Sequence, residues 1–128
     1  MTNPTPQTVY DAVGESGVTD LVKKFYALVP ADDILSPMYA HSDLGEAESR
    51  LRGFLIYRLG GPDGYITERG HPRLRIRHAP FVINPAARDR WLQLMTAALN
   101  EMRFPQEIDA TLRAFFAETA TFLINHPA

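Results

Sequence analysis

Apolar side chains recur along most of this chain at the three-and-four spacing of a helix, and the places where the spacing fails mark its turns. The first run is short: Val9 to Val13 predict a brief helix that stops near Gly14. The pattern restarts with Val18, Leu21, Val22, Phe25 and Val29, with Tyr26 beside them, and ends before Pro30. Residues 31–41 hold Asp32, Asp33, Ser36 and Pro37, the composition of a corner with room for one helical turn. Asp43-Leu-Gly-Glu46 has the form of a capping box. The stripe of Leu44, Ala47, Leu51, Phe54 and Leu55 then predicts a second long helix, stopped by Gly60-Gly61-Pro62. Asn84-Pro85 is a favoured cap followed by proline at the first helical position. Behind it, Trp91, Leu92, Met95, Ala98, Leu99 and Met102 share a face, and Phe104-Pro105 breaks the run. The last helix is expected from Gln106 to Ile124, with Leu112, Phe115, Phe116, Thr119, Phe122 and Leu123 on one side.

One segment departs from this period. Arg73-Leu-Arg-Ile-Arg-His78 alternates polar and apolar, which by periodicity alone is a strand. No other segment offers it a partner, and an isolated strand is not stable. A short helical turn is therefore expected there, reached by a loop from Pro62. Residues 1–8 read as a flexible tail and residues 9–126 as one all-α domain.

Composition narrows the function classes. At 128 residues the chain has the size of one domain able to bury a core unaided. It has no cysteine, hence no disulfide framework, thiolate zinc site or cysteine nucleophile. A formal net charge of -2 argues against generic nucleic-acid binding. No apolar run approaches the roughly twenty residues of a membrane span, and the start lacks the pattern of a signal peptide. An intracellular, cytoplasmic domain is the expectation.

Charge is concentrated in one place. Residues 69–78 carry four arginines and two histidines, punctuated by glycine and proline. A neutral imidazole with its second nitrogen hydrogen-bonded is a common haem-iron ligand, and arginines are natural partners of haem propionates. His78, with Arg73, Arg75 and Arg77 beside it, is suited to both tasks; a histidine on a solvated basic loop has the same spacing. Tyr26, Tyr39 and Trp91 each join a polar atom to a large apolar body. They suit a pocket with donors aimed at a small ligand, or a core with donors on backbone carbonyls. Arg50 stands one turn after Glu46, the spacing of a surface ion pair, and beside Leu51, from which it can reach a ligand's rim. His41, His71 and His126 have no ligand-like spacing. Asp32 and Asp33 read as turn residues rather than a catalytic pair.

Taken together, the motifs Tyr10-Asp-Ala-Val-Gly14, Phe25-Tyr26, Pro37-Met-Tyr39, Ala47-Glu-Ser-Arg-Leu51, Phe54-Leu55, Gly60-Gly61-Pro62, the run from Glu68 to Phe81, and Arg88-Asp-Arg-Trp-Leu92 stand in a familiar order. The chain resembles the second group of truncated haemoglobins, found largely in bacteria. That resemblance implies a two-over-two helical sandwich around haem b. On it His78 is the proximal iron ligand, Tyr26, Tyr39 and Trp91 stabilise a distal ligand, and Ala47 fills the position that carries histidine in many globins. Leu51, Phe54 and Phe81 would line the porphyrin, with Arg50 and Arg77 as propionate partners. The chain departs from the family's pattern at Gly14-Glu15, where two glycines are usual, at Leu59, where an aromatic residue is common, and at Gly53.

The implied activity is binding of oxygen, carbon monoxide or nitric oxide at a five-coordinate iron. Three aromatic donors suit slow release, and so redox chemistry of oxygen with nitric oxide, or of peroxide, rather than bulk oxygen transport. Either reaction needs a reductase that the sequence does not identify. The chain is expected to act as a monomer or homodimer. The alternative from another class is a haem-free helical interaction module that docks an acidic partner through residues 69–78.

Overall fold

The computed structural model of the chain describes residues 5–39, 43–62 and 73–127, and all regular structure among them is helical. Helix α1 spans Pro6–Leu28, α2 Leu44–Arg58, α3 Leu74–His78, α4 Pro85–Met102 and α5 Gln106–Phe122. Short 3-10 turns at Val29–Ala31 and Ser36–Tyr39 form the corner between α1 and α2. Helix α1 packs on both α2 and α4, and α4 packs on α5. The pair α1/α2 thus lies against the pair α4/α5, the expected two-over-two sandwich. The loop predicted between Pro62 and the basic stretch, residues 69–72 of that stretch, and the His41 and His71 positions lie outside the described residues.

Helix α1 begins earlier than the hydrophobic pattern suggests. Thr5 accepts the first helical bond from the Val9 N–H at 3.0 Å, and Pro6 occupies the first helical position, where a missing N–H costs nothing. The predicted stop at Gly14 is present as a break in the helical backbone. Its backbone stands at φ 72, ψ 170, a region open almost only to glycine, and the helix resumes beyond it. The two halves of α1 can therefore point in different directions while both supply core. Val9 and Val13 are buried before the kink, and Val18, Leu21, Val22 and Phe25 after it.

The caps match the sequence with one change. Asp43 Oδ1 accepts from the Gly45 N–H at 2.8 Å and the Glu46 N–H at 3.3 Å. Glu46 does not return the bond as a capping box would; its carboxylate takes Arg50 Nη2 at 2.5 Å instead. At the other end of α2, the Gly61 N–H donates to Ile56 at 2.8 Å and the Gly60 N–H to Tyr57 at 3.2 Å, with Gly60 at φ 98. This Schellman closure satisfies carbonyls that a helix end leaves open. Asn84 caps α4 by accepting from the Ala87 N–H at 2.9 Å, as its position before proline predicts.

The alternating segment is helical. Arg73 adopts the left-handed conformation, φ 46, and leads into the single turn Leu74–His78. In α5 the buried residues are Ile108, Leu112, Phe116 and Ala120, a strict four-residue spacing. Phe122, expected on the apolar side, is 53 % exposed. The weight of three phenylalanines tilts the expected stripe away from the four-residue step that ends on Ala120.

Gly14 gives a direct test. An added Cβ would meet nothing within 4 Å, so a substitution there acts through the backbone alone. Gly14→Ala should lower unfolding free energy by about 1–3 kcal/mol, the range for a residue held in this region, read from the urea midpoint at unchanged m-value.

Candidate functional site

Two groups of side chains face the interior of the sandwich at its open end. The first is carried by the end of α1, the corner and α4. Phe25 is fully buried and touches two of the candidate residues: its ring lies 4.9 Å from Tyr26, edge-on, and 5.1 Å from Trp91. The Tyr26 and Tyr39 rings are 5.8 Å apart and perpendicular. Their hydroxyls interact with one another. Burial, reinforced by Tyr39, pushes the Tyr26 hydroxyl far above its usual 10.0. Burial also raises Tyr39, against the hydrogen bond with Tyr26. Both phenols therefore stay protonated, and so able to donate, throughout the physiological range. The sequence offered these residues either a pocket or a core; the structure brings Tyr26, Tyr39 and Trp91 into one cluster around Phe25.

The second group is carried by α3. His78 is half-buried, and its Nδ1 lies 2.7 Å from the Leu74 carbonyl, one helical turn earlier. A carbonyl only accepts, so Nδ1 carries a proton, and in the neutral imidazole the lone pair then lies on Nε2. Leu74 packs against the core, so the residue that orients the imidazole is itself held. The turn after α3 is fixed from far away in the sequence. Asn125 Nδ2 donates to the Phe81 carbonyl at 2.9 Å and to the His78 carbonyl at 3.4 Å. Its Oδ1 accepts from the Ile83 N–H at 2.9 Å, and its own N–H donates to Ile83 at 2.8 Å. Sequence reasoning missed Asn125, because nothing local marks a pairing that spans more than forty residues.

The remaining candidates divide. Ala47, Leu51 and Phe54 fall at four- and three-residue steps along one face of α2; Ala47 and Leu51 are half-buried and Phe54 is buried. Leu51, Leu74, Trp91 and Leu92 all pack against the core while keeping part of their surface open. Phe81, 6.4 Å from the His78 ring, is 37 % exposed. Arg77 is exposed beside His78. Arg50 is also exposed, with its guanidinium on Glu46, so the surface pair permitted by spacing is the one formed.

A second missed contact ties the first group together. Asp32 is buried, and its Oδ2 accepts from the Leu35 N–H at 2.7 Å and the Ile34 N–H at 3.0 Å, the expected turn role. Its Oδ1 also takes Arg90 Nη1 at 2.6 Å. Arg90 precedes Trp91, so this ion pair pins the indole's helix to the corner that carries Tyr39. Burial alone would raise the Asp32 carboxyl, but the Leu35 N–H, Arg90 and the Ile34 N–H together hold it below its usual 3.8.

The arrangement suits a metal that brings most of its own ligands. Among the described residues no group of three or more His, Cys, Asp or Glu is placed to hold a bare ion. One imidazole with a free Nε2, a set of partly open apolar side chains and neutral phenol donors fits an iron porphyrin, whose ring supplies the other in-plane ligands.

Comparison with known proteins agrees. Residues 8–125 match the family model for bacterial-like globins. A group 2 truncated haemoglobin of Bacillus subtilis is 38% identical over 116 residues, covering 91% of this chain and 87% of that protein. Among solved structures, a thermostable haemoglobin from the actinobacterium Thermobifida fusca superposes with a TM-score of 0.90 at 45% identity, over 94% of this chain and 98% of that one. A group II truncated haemoglobin from Bacillus anthracis gives 0.89 at 36%, over 94% and 98%.

The lowered Asp32 carboxyl sets an acid limit. Because its pKa is lower folded than unfolded, its stabilisation is present above about pH 4 and is lost as pH falls through the folded value. Asp32→Asn should be less stable than the natural chain at pH 7. It should also lose stability less steeply below about pH 4, as read from urea midpoints measured across that range.

Proposed function

The chain belongs to the bacterial-like globins, as a truncated haemoglobin of the second group, and from that premise we propose that His78 holds haem b through Nε2 at a five-coordinate iron. Haem-based ligand binding is what the family implies. The observation that carries the assignment of the ligand residue is the 2.7 Å bond from His78 Nδ1–H to Leu74, which fixes the tautomer a neutral iron ligand requires. When bound, haem supplies an iron that takes a diatomic ligand and exchanges electrons.

The chain's own residues supply the rest. His78 enters as a neutral imidazole with its ring plane set by the helix. Tyr26, Tyr39 and Trp91 furnish donors on the distal side, and the raised phenols keep their protons for that purpose. Ala47, with neither bulk nor a polar atom, leaves the distal face to them. Leu51, Phe54 and Phe81 line the ring. Arg77, beside the ligand histidine, and Arg50, on Glu46, are the residues that would pair with the propionates.

Such a site favours retention. A ligand that accepts from one or more of these donors must break those bonds before it leaves, each worth about 1 kcal/mol net. Slow release suits oxidation of nitric oxide by oxygen, or reduction of peroxide, better than oxygen delivery. Either requires electrons from a reductase. The reading places the chain in the cytoplasm as a monomer or homodimer; no helix among the described residues is long and apolar enough to cross a membrane.

Haemin titration tests the ligand. The natural chain should take up one equivalent with a strong Soret band that shifts when carbon monoxide is added to the reduced form. His78→Ala should lose that stable uptake, and an unchanged spectrum would refute the assignment. Trp91→Phe should speed oxygen dissociation by roughly tenfold or more, the equivalent of about 1.4 kcal/mol. An unchanged rate in stopped flow would remove Trp91 from the distal donors.

A further inference from the structure

The surface behind the iron ligand is unusual for a chain of this balance. Ile76 is 69 % exposed, Val82 57 % and Phe122 53 %, and together with Phe81 these are the large apolar side chains left most open among the described residues. Single exposed apolar residues are ordinary, but Phe81 and Val82 are consecutive, and contacts of their neighbours tie the elements that carry the others. Arg75 stacks its guanidinium over the Phe122 ring at 5.3 Å, which joins α3 to the end of α5. Asn125 stitches the segment of Phe81 and Ile83 to the same end. Ile76 stands between Arg75 and Arg77 in the sequence of a single helical turn that also carries His78.

The apolar centre has a cationic rim. Arg73, Arg75 and Arg77 are exposed around Ile76. Arg88 reaches Thr121, next to Phe122, at 3.0 Å and carries its own counter-ion in Asp89. Neither Arg73 nor Arg75 is ion-paired with an acid among the described residues. In a chain of net charge -2 this is a local excess of positive charge. A two-fold pairing of two copies through this face would set arginine against arginine, which opposes self-association.

We propose that this face docks an acidic one-electron carrier protein that reduces the iron held by His78. The inference rests on the assignment of His78 as haem ligand, since redox turnover leaves ferric iron that must be reduced again. One electron leaves the donor, which is oxidised, and passes to the iron, which goes from ferric to ferrous; no covalent bond forms or breaks. Ile76 is two residues from His78, so a donor seated on it lies against the element that carries the ligand. A small apolar centre with a charged rim is the form of weak, fast redox encounters, in which charge steers approach and the contact is brief.

The test uses the haem-loaded protein and reduced plant-type [2Fe–2S] ferredoxin as the acidic probe. Reduction of the ferric form in stopped flow should slow with rising salt. Arg73→Glu/Arg75→Glu and Ile76→Ser should each slow it at least about tenfold at low salt. Reduction by dithionite, a small molecule with no docking face, should be the same in all three. Methyl NMR of the reduced, carbon-monoxide-saturated protein should place the ferredoxin-induced shifts on Ile76 and Val82. Unchanged rates with ferredoxin in both variants, or shifts on another face, would overturn the proposal. So would a dimer in sedimentation that Ile76→Ser dissolves, or capture by vesicles rich in anionic lipid that the double variant abolishes. If dithionite also fails to reduce the natural protein, the haem reading falls and the docking face with it. Failure with ferredoxin alone overturns only the docking face.

Discussion

A helix of five residues cannot hold itself together, because a single turn fixes more backbone than its few hydrogen bonds stabilise. Helix α3 is such a helix, and it carries His78. Its position is therefore set by its surroundings. Leu74 anchors it to the core on one side, and its carbonyl in turn orients the imidazole. Arg73 enters it in a left-handed conformation that the rest of the fold must sustain. Asn125 binds the turn beyond it. The two-over-two sandwich is in this sense a frame that supports one short turn, and the ring's orientation depends on every part of the frame.

The distal group is built on the opposite principle. Tyr26 and Trp91 sit on long helices whose stability is their own, gathered around the fully buried Phe25. Tyr39 hangs from a corner, but that corner is clamped to α4 by Asp32 and Arg90 across 58 residues. The proximal side thus relies on backbone stitching and the distal side on packing and charge. A ligand between them would be met by one adjustable turn and one rigid aromatic cluster.

Much of this was legible in the sequence. Helices α2, α4 and α5 were marked by stripes and by strong breakers at both ends, and the Arg50–Glu46 pair by four-residue spacing. The start of α1 was also written there, in Thr5-Pro6, but a pattern of apolar residues does not see it. The break at Gly14 was legible too, because glycine signals a left-handed residue; that a second helical run starts directly beyond it, before Val18, was not. The chemistry of His78 came from its neighbours and from resemblance; spacing alone left it equal to a solvated histidine. Asn125, and the reach of Asp32 to Arg90, had no local signal at all. Both pair residues far apart in the chain, and only the folded topology brings them within a bond length. The outward turn of Phe122 was misread because hydrophobicity ranks a phenylalanine above an alanine, whereas the buried positions of α5 keep a four-residue step that ends on Ala120.

The bonds of Asn125 have a consequence for the order of events during synthesis. Domains generally organise from their N-terminal parts while the ribosome is still working, and the distal cluster can be assembled once α4 has emerged. The turn after His78 has to wait. Its carbonyls find their partner only when position 125 has left the exit tunnel, after α5. On the assignment proposed for His78, the imidazole is braced only after α5 has been made, and a nascent chain stalled before α5 is complete would present its histidine unbraced.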